Sequence, residues 1–256
     1  MNRDLEAARD LAIELAVAAG RLQVARRSTV VVGTKAHAND LVSDVDLASE
    51  RLIVDGISAA WRDDGILAEE GSSAPGTSGW RWVVDPLDGT RNYLTGAGPW
   101  SVCIALQEGD DTRVAVVHDP IAAETFSAVA GAGAVLGDVP LRVSATTRLD
   151  EAIVGLSFNP SPETKLWTGQ LVAVLLPGIG DVRRVPAALD LAYVAAGRFD
   201  AALMVDTRLW DVAAGLLVAT EAGAVVEDLP GTGPACIVAT APALGPDLVR
   251  LISQAP

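Results

Sequence analysis

The sequence predicts a mixed α/β fold of the α+β kind, and three observations carry the prediction. An amphipathic helical period opens the chain, short β-branched runs punctuated by glycine fill residues 66–136, and strands alternate with helices from residue 152 onward. At 256 residues, half of them hydrophobic and a fifth charged, the chain is long enough to bury a sizeable core. Length alone permits one large domain or two intimately packed halves.

Leu5, Ala8, Leu11, Ala12, Leu15, Ala16, Ala19 and Leu22 recur at spacings of three and four, so residues 3–25 form an amphipathic helix. Val30-Val31-Val32 reads as a short strand. The polar stretch Thr34–Glu50 feeds a second helix that runs to about Trp61, with Leu47, Leu52, Ile53 and Ile57 on its apolar face. Residues 66–71 are a short strand ending in Glu69-Glu70, followed by the Gly/Ser-rich loop Ser72–Gly79. Trp82-Val83-Val84 has the length and β-branching of a buried strand, which Pro86 is expected to end by removing a ladder donor. Ser101–Leu106, Arg113–Val117, Glu124–Ala130 and Ala134–Leu136 form a meander of antiparallel pairs, with Gly131, Gly133 and Gly137 at its turns.

A polar stretch without apolar period, Val143–Leu149, marks the expected boundary. It divides an N-terminal α+β half, 1–145, from a C-terminal α/β half, 146–256. In the second half, strands are expected at Ala152–Phe158, Ala201–Val205, Ala224–Glu227 and Ala235–Ala239. Helices are expected at Leu166–Leu176, Ala187–Ala196, Val212–Ala222 and near Pro246–Ser253, with Gly197 and Gly223 as helix-closing residues. Asn159–Lys165 reads as a loop.

The formal net charge is −14, which disfavours nucleic acid and anionic membrane surfaces as partners. The chain has no apolar run near the roughly 20 residues of a membrane span, and its opening lacks an apolar signal core, so a cytoplasmic protein is expected. Cys103 and Cys236 stand far apart in apolar surroundings, as buried free thiols do. Two histidines, His37 and His118, argue against histidine-rich zinc chemistry and against a Ser-His-Asp device. A metal here should be a hard cation bound through oxygen.

Carboxylates gather at element ends. Asp44 and Asp46 open the second helix, Glu69-Glu70 end a strand, Asp85 and Asp88 flank Pro86-Leu87, and Asp211 precedes Val212-Ala213-Ala214-Gly215. Each has a structural reading: helix capping for Asp44, Asp46 and Asp211, and a solvated turn for Asp85 and Asp88. Each also fits a site in which charge is compensated.

The four-part series decides between these readings. S-D-V-D around Asp46, Glu69-Glu70, D-P-L-D-G-T from Asp85 to Thr90, and W-D-V-A-A-G from Trp210 to Gly215 resemble the inositol monophosphatase family, metal-dependent phosphomonoesterases with these elements in this order. Lys35 with Asp40-Leu41-Val42, and Ala187 to Asp200, extend the likeness over essentially the whole chain, most weakly at 159–183. The resemblance implies an α/β/α/β/α layered sandwich of the inositol monophosphatase and fructose-1,6-bisphosphatase type, usually dimeric. It implies two or three Mg²⁺ ions held by Glu69, Asp85, Asp88, Asp211 and the Leu87 carbonyl. Asp46 and Thr90 would orient the attacking water, with Glu69 and Asp85 holding the metal that carries it. Gly89 and Thr90 amides would face the phosphate, near Asp88 and Asp211. Attack is then in line, without a phosphoenzyme, and lithium-sensitive. Glu70 is either a further ligand or a structural partner.

Elementary electrostatics agrees with that ligand set. Two carboxylates about 4 Å apart repel by roughly 4 kcal/mol at an effective dielectric near 20, so the cluster is strained until cations compensate it.

Two positions depart from the inositol-type pattern. Met204 stands where those members carry a glutamate that accepts from a ring hydroxyl, and Val185-Pro186 replaces a Gly-Ser/Thr pair before the Ala-Ala helix. Both changes are expected to lie at the alcohol side of the substrate, where Asp206 or Arg208 would substitute; Asp190 is expected to be structural. The expected substrate is a small polyol phosphate monoester, myo-inositol 1-phosphate first, with histidinol phosphate, fructose 1,6-bisphosphate and 3′-phosphoadenosine nucleotides as alternatives. A regulatory member that binds a partner such as an RNA-polymerase-type protein, with vestigial catalysis, is the alternative from another class.

Overall fold

The computed structural model describes residues 3–34, 41–229 and 233–254. Lys35, His37 and Asp40 lie outside the described residues. The chain runs through α1 (Leu5–Arg26), β1 (Val32–Thr34), β2 (Leu41–Ser43), α2 (Asp44–Ala60), β3 (Gly65–Ala68), β4 (Ser73–Ala74), β5 (Trp80–Asp88) and α3 (Thr90–Thr95). It continues with β6 (Ser101–Glu108), β7 (Asp111–Asp119), β8 (Glu124–Val129), β9 (Gly133–Leu136) and β10 (Val139–Pro140). The remainder is β11 (Ile153–Phe158), α4 (Pro162–Leu175), β12 (Asp181–Arg183), α5 (Ala187–Ala195), β13 (Ala201–Val205), α6 (Leu209–Glu221), β14 (Val225–Leu229), β15 (Cys236–Thr240) and α7 (Gly245–Ile252).

These elements stack as α/β/α/β/α. An eight-stranded sheet has the order β10-β9-β8-β7-β6-β5-β3-β4 and is antiparallel except for the parallel pair β3–β5. A five-stranded mixed sheet, β12-β11-β13-β15-β14, has β11 parallel to both of its neighbours. Alternation along β5 and β6 sets the layers. Trp82, Val84, Val102, Ile104 and Leu106 face α1 and α2, whereas Val83, Cys103 and Ala105 face α5 and α6. The other faces of α5 and α6 pack on Ala202, Met204 and Ala239 of the second sheet, and α4 and α7 cover its far side.

The central helix pair is built from small residues. A Cβ on Gly215 of α6 would lie 2.8 Å from the Leu191 side chain of α5, so the A-A-G of the W-D motif is what lets two helices and two sheets close around one layer. Both cysteines are free and buried, as expected. Among the described residues, no helix is long and apolar enough to cross a membrane.

Several boundaries differ from the sequence reading, each for a local reason. β5 does not stop at Pro86. It continues to Asp88 through a register shift in its pairing with β6, from Asp85 opposite Cys103 to Asp88 opposite Ser101, and the bulge absorbs the missing proline donor. α4 begins at Pro162 within the expected loop, because Ser161 caps it by accepting the Thr164 amide (3.1 Å) and proline suits a first helical position. α6 begins at Leu209, which makes Asp211 its third residue and not its cap. β4, β10 and β12 are two or three residues long and carry no period of their own.

Leu189, fully buried in the middle layer against the first sheet, reports on this packing. Leu189→Ala should cost about 3 kcal/mol, read as a lower urea midpoint with an unchanged slope.

Candidate active site

The parallel pairing of β3 with β5 sets Ala68 opposite Val84, and the Glu69 amide continues the ladder to the Val84 carbonyl (3.1 Å). Residues sixteen apart in sequence are thereby placed side by side, Glu69 beside Asp85. Glu50, buried on α2, secures this turn by accepting the Glu70 amide (2.7 Å) and the Ser72 amide (3.0 Å).

The bulge in β5 exposes the next groups. Asp85 is buried, and its Oδ1 accepts the Leu87 amide at 2.9 Å. The Leu87 side chain packs with Val45, Tyr93 and Trp100, and its carbonyl accepts the Thr90 hydroxyl (3.2 Å). Asp88 accepts the Ala188 amide from the first turn of α5 (2.9 Å) and the Ser101 hydroxyl (3.2 Å). Gly89, at φ +96°, turns the chain into α3; a Cβ there would be 2.7 Å from Pro186 Cγ, so only glycine fits.

Asp46 is the third residue of α2 and forms a capping box with its cap, Ser43, while it also meets Thr90. It is fully buried at the start of α2, accepts the Ser43 amide (2.9 Å) and hydroxyl, and accepts the Thr90 hydroxyl at 3.0 Å through its other oxygen. Asp211, in the first turn of α6, accepts the Arg208 amide (2.8 Å). Helix starts thus converge here from α2, α3, α5 and α6, each with its positive end toward the carboxylates.

Those contacts do not neutralise the cluster. Burial, then the charges of Glu69, Asp88 and Asp211, raise the Asp85 pKa well above the carboxylate range. Burial followed by Asp211 pushes Asp88 up to about 7. Asp46 is raised by burial, against the lowering effect of its Ser43 and Thr90 hydrogen bonds. Clustered oxygen donors that hold protons for lack of counter-charge fit a hard dication such as Mg²⁺. Among the described residues, no three acidic, His or Cys side chains are grouped closely enough to hold an ion as they stand.

Sequence reasoning missed the props behind this site. Gln23, buried on α1, donates to the Pro86 carbonyl (2.7 Å) and to Ser49 (3.2 Å), and accepts from Trp100 Nε1 (2.8 Å). Its signal was a polar residue four places after Ala19 on an apolar face. Ser101 and Glu50 carried no signal of comparable kind. Met204 is a correction: its side chain is buried with Ala187, Leu191 and Ala239 between α5 and the second sheet, away from solvent. Asp206 accepts the Thr164 hydroxyl (3.0 Å) and lines a cavity of about 310 Å³ beyond the ends of β11 and β13. Asp190 is buried and accepts the Ser157 hydroxyl (2.8 Å).

The sequence profile of the inositol monophosphatase family matches residues 4–253. The chain belongs to the inositol monophosphatase family. The Nus factor SuhB of Xylella fastidiosa is 42% identical over 219 residues, covering 84% of this chain and 77% of that one. Among solved structures, the suhB protein of Bartonella henselae superposes with a TM-score of 0.90 at 33% identity, covering 98% of this chain and 100% of that one. A Thermotoga maritima IMPase superposes at 0.86 with 29% identity over 96% of both chains. The two solved structures share the fold described above.

The raised carboxyls fix a sign for pH dependence. Without metal, the folded protein keeps protons on Asp85 and Asp88 that the unfolded chain releases near pH 4, so its stability falls as pH rises from about 4 to 7. Melting temperature in EDTA should decline across that window. Adding Mg²⁺ at pH 7.5 should raise it by on the order of 5 °C and release protons in weakly buffered solution.

Proposed function

We propose that the protein is a Mg²⁺-dependent phosphatase that hydrolyses a small polyol phosphate monoester by direct attack of water, with myo-inositol 1-phosphate the first substrate to test. The observation that carries this reading is the meeting of Glu69, Asp85, Asp88 and Asp211 at one end of β3 and β5 and the starts of four helices. Glu69, Asp85, Asp88, Asp211 and the Leu87 carbonyl are the proposed Mg²⁺ ligands. When bound, Mg²⁺ supplies Lewis acidity and positive charge to an otherwise anionic site.

The chain's own residues divide the remaining work. The Thr90 hydroxyl bridges Asp46 (3.0 Å) and the Leu87 carbonyl (3.2 Å), so this pair is placed to orient a water and take its proton. The backbone at Gly89 and Thr90 opens α3 and offers amides to phosphate oxygens. Asp88 is held by Ser101 and Ala188, which keeps one carboxylate oxygen in place while the other remains available. Glu70 is proposed as a structural residue, since its amide is tied to Glu50. A homodimer, a cytoplasmic location and inhibition by lithium are proposed with this reading.

A second reading has a specific motivation. Pro186 replaces a small polar residue and sits against Gly89, beside the proposed phosphate amides. The X. fastidiosa relative is named a Nus factor, and a regulatory role with vestigial turnover would suit a site altered there. Retention of the entire acidic series weighs against it.

A panel of phosphate esters with and without Mg²⁺ separates the two. Metal-dependent phosphate release is expected from at least one polyol phosphate, and its absence from every member would favour the regulatory role. Asp88→Asn should lower kcat by roughly 10²- to 10³-fold, yet leave the metal-free protein folded and at least as stable, because one repelling charge is gone.

A further inference from the structure

Asp190 is not among the proposed metal ligands, yet the fold links it to one of them. α5 opens at Ala187 with Pro186 in the cap position, and proline brings no side-chain acceptor for the free amides of a helix start. Asp88 supplies one in its place, since its Oδ2 accepts the Ala188 amide at 2.9 Å. The bond that orients Asp88 therefore depends on where the first turn of α5 stands. The same turn touches the acidic motif a second time: a Cβ on Gly89 would lie 2.7 Å from Pro186 Cγ.

Asp190 fastens that turn to β11. It is fully buried, and its own amide bonds the Pro186 carbonyl (2.9 Å). Its Oδ2 accepts the Ser157 hydroxyl at 2.8 Å, and the Val185 carbonyl shares the same hydroxyl at 3.2 Å. Ser157 thus holds, from one point, both the Asp190 side chain and the backbone just before Pro186. β11 is a firm anchor, hydrogen-bonded to β12 on one side and β13 on the other. Gly155, two residues earlier on the same face of β11, makes room for the carboxyl, because a Cβ there would lie 2.7 Å from Asp190 Oδ1. Among the described residues, that oxygen has no hydrogen-bond partner. Burial raises the Asp190 pKa well above the carboxylate range, against the lowering pull of Ser157 and the Val185 amide. The uncharged form is favoured, so Asp190 acts as a connector and not as a counter-charge.

We propose that Asp190 and Ser157 are positioning residues for Asp88: together they hold the Val185–Pro186 turn to β11, which keeps the Ala188 amide on Asp88 and Pro186 against Gly89. The inference rests on the reading of Asp88 as a Mg²⁺ ligand of a phosphatase and extends it one layer outward, to the second sheet.

The test uses Ser157→Ala, Asp190→Ala, Asp190→Asn and the double alanine variant. It reads Mg²⁺ affinity by calorimetry, kcat and KM for myo-inositol 1-phosphate, and melting temperature in EDTA. Each alanine variant should weaken Mg²⁺ binding about tenfold and lower kcat by a similar factor, with KM little changed. The double variant should be no worse than Asp190→Ala alone, because both changes cut one link. Asp190→Asn should stay close to the wild type, since an amide oxygen can still accept from Ser157. A lower melting temperature with unchanged Mg²⁺ affinity and kcat overturns the proposal, by leaving Asp190 a packing residue only. Asparagine as damaging as alanine also overturns it, by assigning the work to a negative charge. A change confined to KM overturns it too, by placing the turn at the substrate and not at Asp88. If Asp190→Ala does not fold, Ser157→Ala and Asp190→Asn carry the same comparison. If the wild type binds Mg²⁺ but does not hydrolyse the ester, that substrate fails separately and the Mg²⁺ affinities decide the positioning role.

Discussion

Mutual repulsion among carboxylates that are mostly out of water is the constraint to which the rest of the structure answers. Hydrophobic burial is indifferent to direction and cannot hold like charges together, so four of the acids are fixed by hydrogen-bond donors, some from their own element and some from a neighbouring one. Ser43 and Thr90 hold Asp46, the Leu87 amide holds Asp85, Ser101 and the Ala188 amide hold Asp88, and the Arg208 amide holds Asp211. These donors leave Asp85 and Asp88 with raised pKa values, so the charge is distributed and oriented but not cancelled. That residue of uncompensated charge is what a bound dication would meet.

The layers exist to deliver those donors. α1 contributes through a single buried polar side chain, Gln23, which reaches the Pro86 carbonyl inside the β5 bulge and the Trp100 indole behind it. α5 contributes an amide because Gly215 and the alanines of α6 let the two helices approach closely enough to share one layer. A bulkier residue at Gly215 would disturb the site without touching a carboxylate. Packing and chemistry are therefore coupled through backbone positions, and the W-D-V-A-A-G motif carries both: the aspartate faces the cluster and the small residues set the distance.

Much of the fold was legible in residue patterns. The period of α1, the branched runs of β5 to β9 and the strand–helix alternation after residue 152 reflect one-sided burial, which sequence records directly. What patterns did not record were features that depend on a neighbour. β5 runs on through Pro86 because β6 accepts a bulge there. α4 starts four residues before its apolar period because a serine cap and a proline outweigh the polar composition. Met204 stood at a position expected to face the substrate, yet the second sheet packs it against α5.

The sequence by itself determined the chemistry available: carboxylate oxygens and only two histidines, acids at the ends of buried strands and starts of helices, and a glycine where the chain must turn beside them. Those are properties of residue type and local position. Which acids meet was decided only by tertiary structure, because the parallel β3–β5 pairing and the approach of α5 and α6 bring together groups separated by up to 165 residues, from Asp46 to Asp211.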